Sequence, residues 1–197
     1  MTHRRAIVTF VCLAALVLIG IGVAELPHDS SRGGAITRLT AAQASALLAA
    51  SPPPLAALHA QGGTLLDGGA SALKARLVAL KGYPVVINKW ASWCVPCKEE
   101  FGAFQRVSAE YGRRVAFIGI DSEDPKRGDA RAFLKTFPVS YPSYYDPSGQ
   151  LGLQTTDSSF TPVSVFIAPD GRSFIYQGQI PNVTKLRHDV ERYALNA

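Results

Sequence analysis

Two cysteines three residues apart, in Trp93-Cys94-Val95-Pro96-Cys97, carry the most chemistry in this sequence. Thiols at positions i and i+3 of a helix lie on one face, close enough to close a disulfide with little backbone movement. The pair therefore predicts a redox switch. At a helix start, Cys94 meets unsatisfied amides and the positive end of the macrodipole, which favour thiolate over thiol. Cys94 is the expected nucleophile, attacking a partner disulfide to give a mixed disulfide. Cys97, one turn further in, is expected to displace the reduced partner as the resolving thiol. Pro96 lacks an amide hydrogen, which is tolerated in a first turn because that donor has no intrahelical partner.

The spacing alone also fits half of a zinc site or a structural disulfide. Zinc needs two further ligands, and His3, His28, His59 and His188 are dispersed along the chain. So short a disulfide ring restrains little of the unfolded chain, which makes stabilisation a poor reason for it. A Cu(I) metallochaperone holding the ion between two thiolates is the alternative from another class, and a peroxide-reducing enzyme is the third. The exchange reading calls for no cofactor and no metal. Three cysteines in 197 residues are too few for a disulfide scaffold, and Cys12 is left unpaired. The net charge of +5 includes Arg4 and Arg5 at the N-terminus, and the other cations are scattered among acids. No dense basic stripe is present, so nucleic acid is excluded as a partner.

The elements that must position the sulfurs are legible from periodicity. Residues 84–90 are β-branched and largely apolar, the pattern of a strand buried on both faces. Phe101, Phe104, Val107 and Tyr111 recur three or four apart, so the cysteines open an amphipathic helix over 97–111. Leu73, Leu77 and Leu80 predict a preceding helix over 70–81, ended by Gly82. A second buried strand over 115–120 ends at Asp121, and Asp129 is placed to cap a helix carrying Phe133, Leu134 and Phe137. Residues 139–152, rich in Pro, Ser and Gly, read as an irregular loop whose tyrosines line a cleft. Strands at 162–167 and 173–177 form a hairpin about Asp170-Gly171. Leu186, Val190 and Tyr193 mark a final helix, expected to close the sheet's other face. Asn182-Val183-Thr184 fits a glycan acceptor by chance.

Upstream, residues 6–24 carry no charge, and 19 residues at about 1.5 Å each match the hydrocarbon thickness of a bilayer. His3, Arg4 and Arg5 precede this run and Glu25 follows it. The positive-inside tendency therefore leaves residues 1–5 in the cytoplasm and exports the rest. A cleaved signal peptide is the competing reading, because Gly22-Val23-Ala24 supplies small residues; the length of the run favours an uncleaved anchor. Cys12 inside it reads as membrane packing. Residues 25–35 form a polar linker. Residues 36–62 form an N-terminal extension, with a capping box at Thr40 and Gln43 opening a short helix that Pro52-Pro53-Pro54 stops. Residues 63–197 form the α/β domain.

The stretch Lys89-Trp90-Ala91-Ser92-Trp93-Cys94-Val95-Pro96-Cys97-Lys98-Glu99-Glu100-Phe101, within residues 84–101, resembles the TlpA and ResA group of thioredoxin-like proteins. The likeness extends more loosely from about Leu65 to the C-terminus, through residues 115–121 and 162–171. It implies a thioredoxin-like α/β fold: a central mixed sheet flanked by helices, following an N-terminal transmembrane helix. It also implies a cis-proline facing the cysteines at Pro162, with Thr161 before it, and an acid at Glu100 that tunes proton transfer at the thiols. Trp93, Val95, Pro96 and Thr161 are then the substrate-contacting residues. Asn88 stands where ordinary thioredoxins bury an acid, and Lys89 where an aromatic is common. Val163 replaces a frequent threonine, and Phe160 stands where glycine and an aliphatic residue are frequent. The implied activity is reduction of disulfides in exported proteins, with apocytochrome c the favoured client and a membrane thiol-disulfide carrier the electron donor. A disulfide-forming oxidant would use the same residues.

Overall fold

The computed structural model describes residues 39–196. The expected anchor at 6–24, Cys12 within it and the linker at 25–35 lie outside them. Among the described residues no helix is long and apolar enough to cross a membrane. Helix α1 (Ala41–Leu48) begins at the capping box: Thr40 Oγ1 accepts from the Gln43 amide at 3.2 Å and Gln43 Oε1 from the Thr40 amide at 2.8 Å. The prolines that end α1 also begin α2 (Pro53–His59), because the fixed φ of proline suits a first turn. Leu55 and Leu58 of α2 are fully buried. The His59 ring bridges two carbonyls of the domain, Ser140 O at 3.2 Å and Gly112 O at 2.9 Å. The extension is thus packed on the domain.

The strands are β1 (Leu65–Leu66), β2 (Val85–Trp90), β3 (Ala116–Ser122), β4 (Ser143–Asp146), β5 (Val163–Ile167) and β6 (Ser173–Gln177). They form one mixed sheet in the order β1-β4-β3-β2-β5-β6. The β1–β4, β4–β3 and β3–β2 pairs are parallel, and β5 and β6 run antiparallel on the far side of β2. The helices α3 (Gly69–Ala79), α4 (Val95–Tyr111), α5 (Arg127–Thr136), α6 (Gln150–Thr156) and α7 (Val183–Asp189) connect and flank them. After α7 the chain continues into a π-helical turn (Val190–Ala194) closed by Leu195 N–H donating to Val190 O.

Because side chains alternate along a strand, β2 feeds two cores. Val86 and Trp90 meet Phe101, Phe104, Phe133 and Leu186, from α4, α5 and α7. Val85 and Ile87 meet Leu55, Leu73 and Leu151, from α2, α3 and α6. The first core is built around rings: Phe133 lies 4.7 Å from both Trp90 and Phe101, stacked on one and edge-on to the other.

Three expectations are corrected. Residues 139–152 contain β4 and the start of α6 rather than a loop. The polar Ser143-Tyr144-Tyr145-Asp146 is drawn into the sheet because it pairs on both edges, with β1 and β3. Asp129 lies within the first turn of α5, whose cap is Lys126 with no side-chain bond. The final helix packs on the face that carries α4, not the opposite one. That opposite face is already filled, partly by Leu55 and Leu58 of the extension, while Arg187 of α7 reaches Glu110 of α4 at 2.7 and 2.8 Å. Asn182, in the glycan-like triplet, caps α7 by accepting from the Lys185 amide at 2.9 Å.

Phe133 joins α5 to the wall beneath the cysteine helix. Phe133→Ala is expected to lower unfolding free energy by about 3–5 kcal/mol, measured by urea denaturation; a loss below about 1 kcal/mol would show that this ring cluster is not a structural support.

Candidate active site

β2 ends at Trp90, and four residues later the chain enters α4 with Cys94 as its N-cap. Cys94 and Cys97 are joined in a disulfide with S–S 2.02 Å. The Cys97 amide donates to Cys94 Sγ at 3.2 Å, so a sulfur occupies the place usually held by a capping oxygen. Cys94 is 3% exposed and Cys97 is wholly buried, which leaves Cys94 as the sulfur a partner can approach. Pro96 lies in the first turn.

The segment between strand and helix is pinned by the loop that follows β3. Asp124 Oδ2 accepts from the Ser92 amide at 2.7 Å, and Trp93 Nε1 donates to the Glu123 carbonyl at 3.0 Å. Sequence reading singled out neither Asp124 nor Glu123. A signal was present, since parallel neighbouring strands bring their C-terminal loops together, and Glu123-Asp124 directly follows β3.

Glu100 lies one turn along α4 from Cys97 and is fully buried. Its Oε1 accepts from Asn88 Nδ2 at 2.8 Å and its Oε2 from the Ile180 amide at 2.9 Å. Burial pushes the carboxyl up to about 8, against the opposing pull of those two donors. The neighbouring Tyr141 phenol is held well above its ordinary value, by burial first and then by Glu100. The position of Glu100 follows from spacing: Cys97, Glu100, Phe104, Val107 and Tyr111 step by three and four along one buried face.

Lys89 points from β2 to the other side and is also buried. Its ammonium donates to the Ser158 carbonyl at 2.8 Å, anchoring the turn that leads to Thr161 and Pro162. Burial lowers its pKa, which Glu123 and Asp146 partly offset. Gly152 leaves room for this side chain, since a Cβ there would come within 2.9 Å of Lys89 Cε. The Thr161–Pro162 peptide is cis. With Val163 opposite Lys89 in the antiparallel β2–β5 pair, Pro162 sits at the end of the strand beside the one leading to Cys94. Trp93 and Val95 are exposed at 54% and 61% and flank the sulfurs, while Thr161 is part-buried with its hydroxyl unpartnered.

Asp121 is a second buried acid near the site. Its carboxyl is pushed up to about 8, by burial first and then by Asp124 and Asp146, with Arg127 pulling the other way. Among the described residues no group of three or more His, Cys, Asp or Glu side chains is placed to hold a metal ion.

A thioredoxin-like fold with a vicinal-type cysteine pair at a helix start is the class these features define. The AhpC/TSA family profile matches residues 64–172, more than half of the sequence, and the chain belongs to that family. It is similar to the thioredoxin-like protein YneN of Bacillus subtilis, 32% identical over 78 residues that cover 39% of this chain and 46% of the relative. It is similar to the thiol-disulfide oxidoreductase ResA of Bacillus subtilis, 30% identical over 94 residues that cover 47% of this chain and 51% of the relative. Among solved structures, a DsbF homologue from Corynebacterium diphtheriae superposes with a TM-score of 0.54 at 26% identity, covering 59% of this chain and 75% of that one. The chain spans about half the length of the curated relatives it matches.

The two buried acids make stability pH-dependent. A carboxyl whose pKa is raised by folding contributes its full stabilisation only below its ordinary value near 4, and loses it as pH rises through about 8. The protein should therefore be less stable to urea at pH 9 than at pH 6. Glu100→Gln and Asp121→Asn should each shrink that difference by on the order of 2 kcal/mol. An undiminished difference in both variants would place the titration elsewhere.

Proposed function

We propose that this chain is a thiol-disulfide oxidoreductase working outside the cytoplasm as a reductase of exported protein disulfides. The observation that carries the reading is the Cys94–Cys97 disulfide at the N-terminus of α4, with Cys94 as cap and Cys97 buried behind it. In the reduced protein the Cys94 thiolate, favoured by the helix end, attacks one sulfur of a client disulfide and releases the other as a thiol. Cys97 then displaces the bound client sulfur. The client gains two electrons and two protons, and the Cys94–Cys97 disulfide is restored. Glu100, one turn along the helix from Cys97, takes up the Cys97 proton during that second step when it is in its carboxylate form. Similarity to ResA of Bacillus subtilis, named a thiol-disulfide oxidoreductase, supports the chemistry.

Direction, location and client rest on the resemblance to the TlpA and ResA group and on the apolar run at 6–24. On this reading that run tethers the domain, a membrane thiol-disulfide carrier re-reduces the cysteine pair, and apocytochrome c is the favoured client. The reduction potential decides the direction. Equilibration with glutathione buffers is expected to give a potential more reducing than glutathione, and a strongly oxidising value would reverse the assignment. In cells, Cys97→Ser should accumulate client proteins as mixed disulfides on Cys94, seen as bands that collapse on reduction. Absence of any such adduct would contradict exchange as the activity.

A further inference from the structure

Phe160 is the most exposed large apolar side chain of the described residues, at 71%. An aromatic ring left in water next to a reactive site is informative when the backbone beneath it is fixed. Here it is fixed. The Phe160 amide donates to Ser158 Oγ at 3.1 Å, and the Ser158 carbonyl accepts from the buried Lys89 ammonium at 2.8 Å and from Thr156 Oγ1 at 3.2 Å. On the other side of Phe160, the Pro162 carbonyl accepts from the Gly178 amide at 3.0 Å, and Val163 begins β5. The ring therefore projects from a turn held at both ends, one of them by a buried charge.

The β2–β5 register carries this turn back along the segment that leads into Cys94. Phe160, just before β5, thus lies at the same end of the sheet as Trp93 and Val95, just after β2, and Trp93 is itself fixed through its indole N–H on the Glu123 carbonyl. Cys94 stands between Trp93 and Val95 in the chain, so whatever covers the rim at this end of the sheet during exchange must carry a cysteine. Such a segment has to be extended to lie beside residues 160–162, and in an extended chain side chains alternate faces with a rise of about 3.3 Å per residue. A side chain about two residues from the reacting cysteine then shares its face and meets the rim.

We propose that Phe160 is a specificity-determining residue, forming with Trp93 and Val95 an apolar rim that takes an extended client segment with an aromatic or aliphatic side chain about two residues from its reacting cysteine. This rests on the exchange reading above and adds to it the chemistry of the client. The step is unchanged: the dithiol gives two electrons and two protons to the client disulfide.

The test uses the full-length chain, reduced, and two synthetic peptides, each blocked as a mixed disulfide with glutathione. They differ only in carrying Phe or Ser two residues from the cysteine. The wild-type second-order rate should favour the Phe peptide by roughly 10-fold. Phe160→Ala should bring that ratio close to one, and Phe160→Trp should keep it. Equal rates with the two peptides, or a ratio unaltered in Phe160→Ala, would overturn the proposal while leaving exchange intact. No reaction of the wild-type protein with either peptide would overturn the exchange reading, and this inference with it.

Discussion

The amide of Cys97 has to donate to something, and in this protein it donates to a sulfur. At a helix start that amide is one of several without an intrahelical partner, and an ordinary helix satisfies it with a hydroxyl or carboxylate. Giving the place to Cys94 puts the field of α4 on the sulfur that attacks first in exchange. The geometry is unforgiving because β2, which delivers the chain to Cys94, is hydrogen-bonded on both edges and packed on both faces. Four residues must turn a central strand into a helix, and two of them, Ser92 and Trp93, are held by the loop after β3. Anything that displaced β3 or α4 would move the sulfur relative to its helix.

The same central strand carries two polar residues into the interior, one on each face. Asn88 meets Glu100 beneath α4, and Lys89 runs the other way to the Ser158 carbonyl. Neither is a cheap arrangement, since a buried polar group without a partner costs about 1–3 kcal/mol and a charge more. Asn88 Nδ2 and the Lys89 ammonium are partnered, though Asn88 Oδ1 is not, and both partners lie in parts that frame the sulfurs: the helix that bears them and the turn that leads to Pro162. The interior polarity of β2 is thus spent on holding the two walls of the site in place.

Much of this was legible in the sequence, for reasons that can be named. Val85, Val86 and Ile87 announce a buried strand by type, and Phe101, Phe104, Val107 and Tyr111 announce a helix by period. Their order around Trp93-Cys94-Val95-Pro96-Cys97 was enough to place the cysteines at a helix start. What escaped depends on tertiary pairing. Ser143-Tyr144-Tyr145-Asp146 looks like a loop because Pro142 and Pro147 flank it and Ser and Asp end it; only its position between β1 and β3 makes it a strand. Lys89 reads equally as a solvent-facing cation by local pattern, because its acceptor is 69 positions away. Asp124 was hidden for the same reason, its donor Ser92 lying across two parallel strands. The face chosen by α7 turned on Leu55 and Leu58, whose apolar character signals docking of the extension but not the face on which it docks.

The burial of Glu100 bears on how the exchange steps are ordered. Residues three apart on one helical face have Cβ atoms about 5–6 Å apart, so Cys97 and Glu100 share a site closed to water and their protons are not independent. A carboxylate there would oppose a thiolate on Cys97, whereas a neutral acid would not. With the carboxyl pushed up to about 8, the neutral form prevails at pH 7, and a proton leaving Cys97 is received only as Glu100 yields its own or is ionised first. The two donors on Glu100, Asn88 Nδ2 and the Ile180 amide, keep the ionised form within reach. Without them burial would drive the carboxyl higher and close that route. On the proposed reading, Asn88 therefore does by hydrogen bonding what a buried acid at its own position does by charge: it sets how readily the interior accepts a proton from the resolving sulfur.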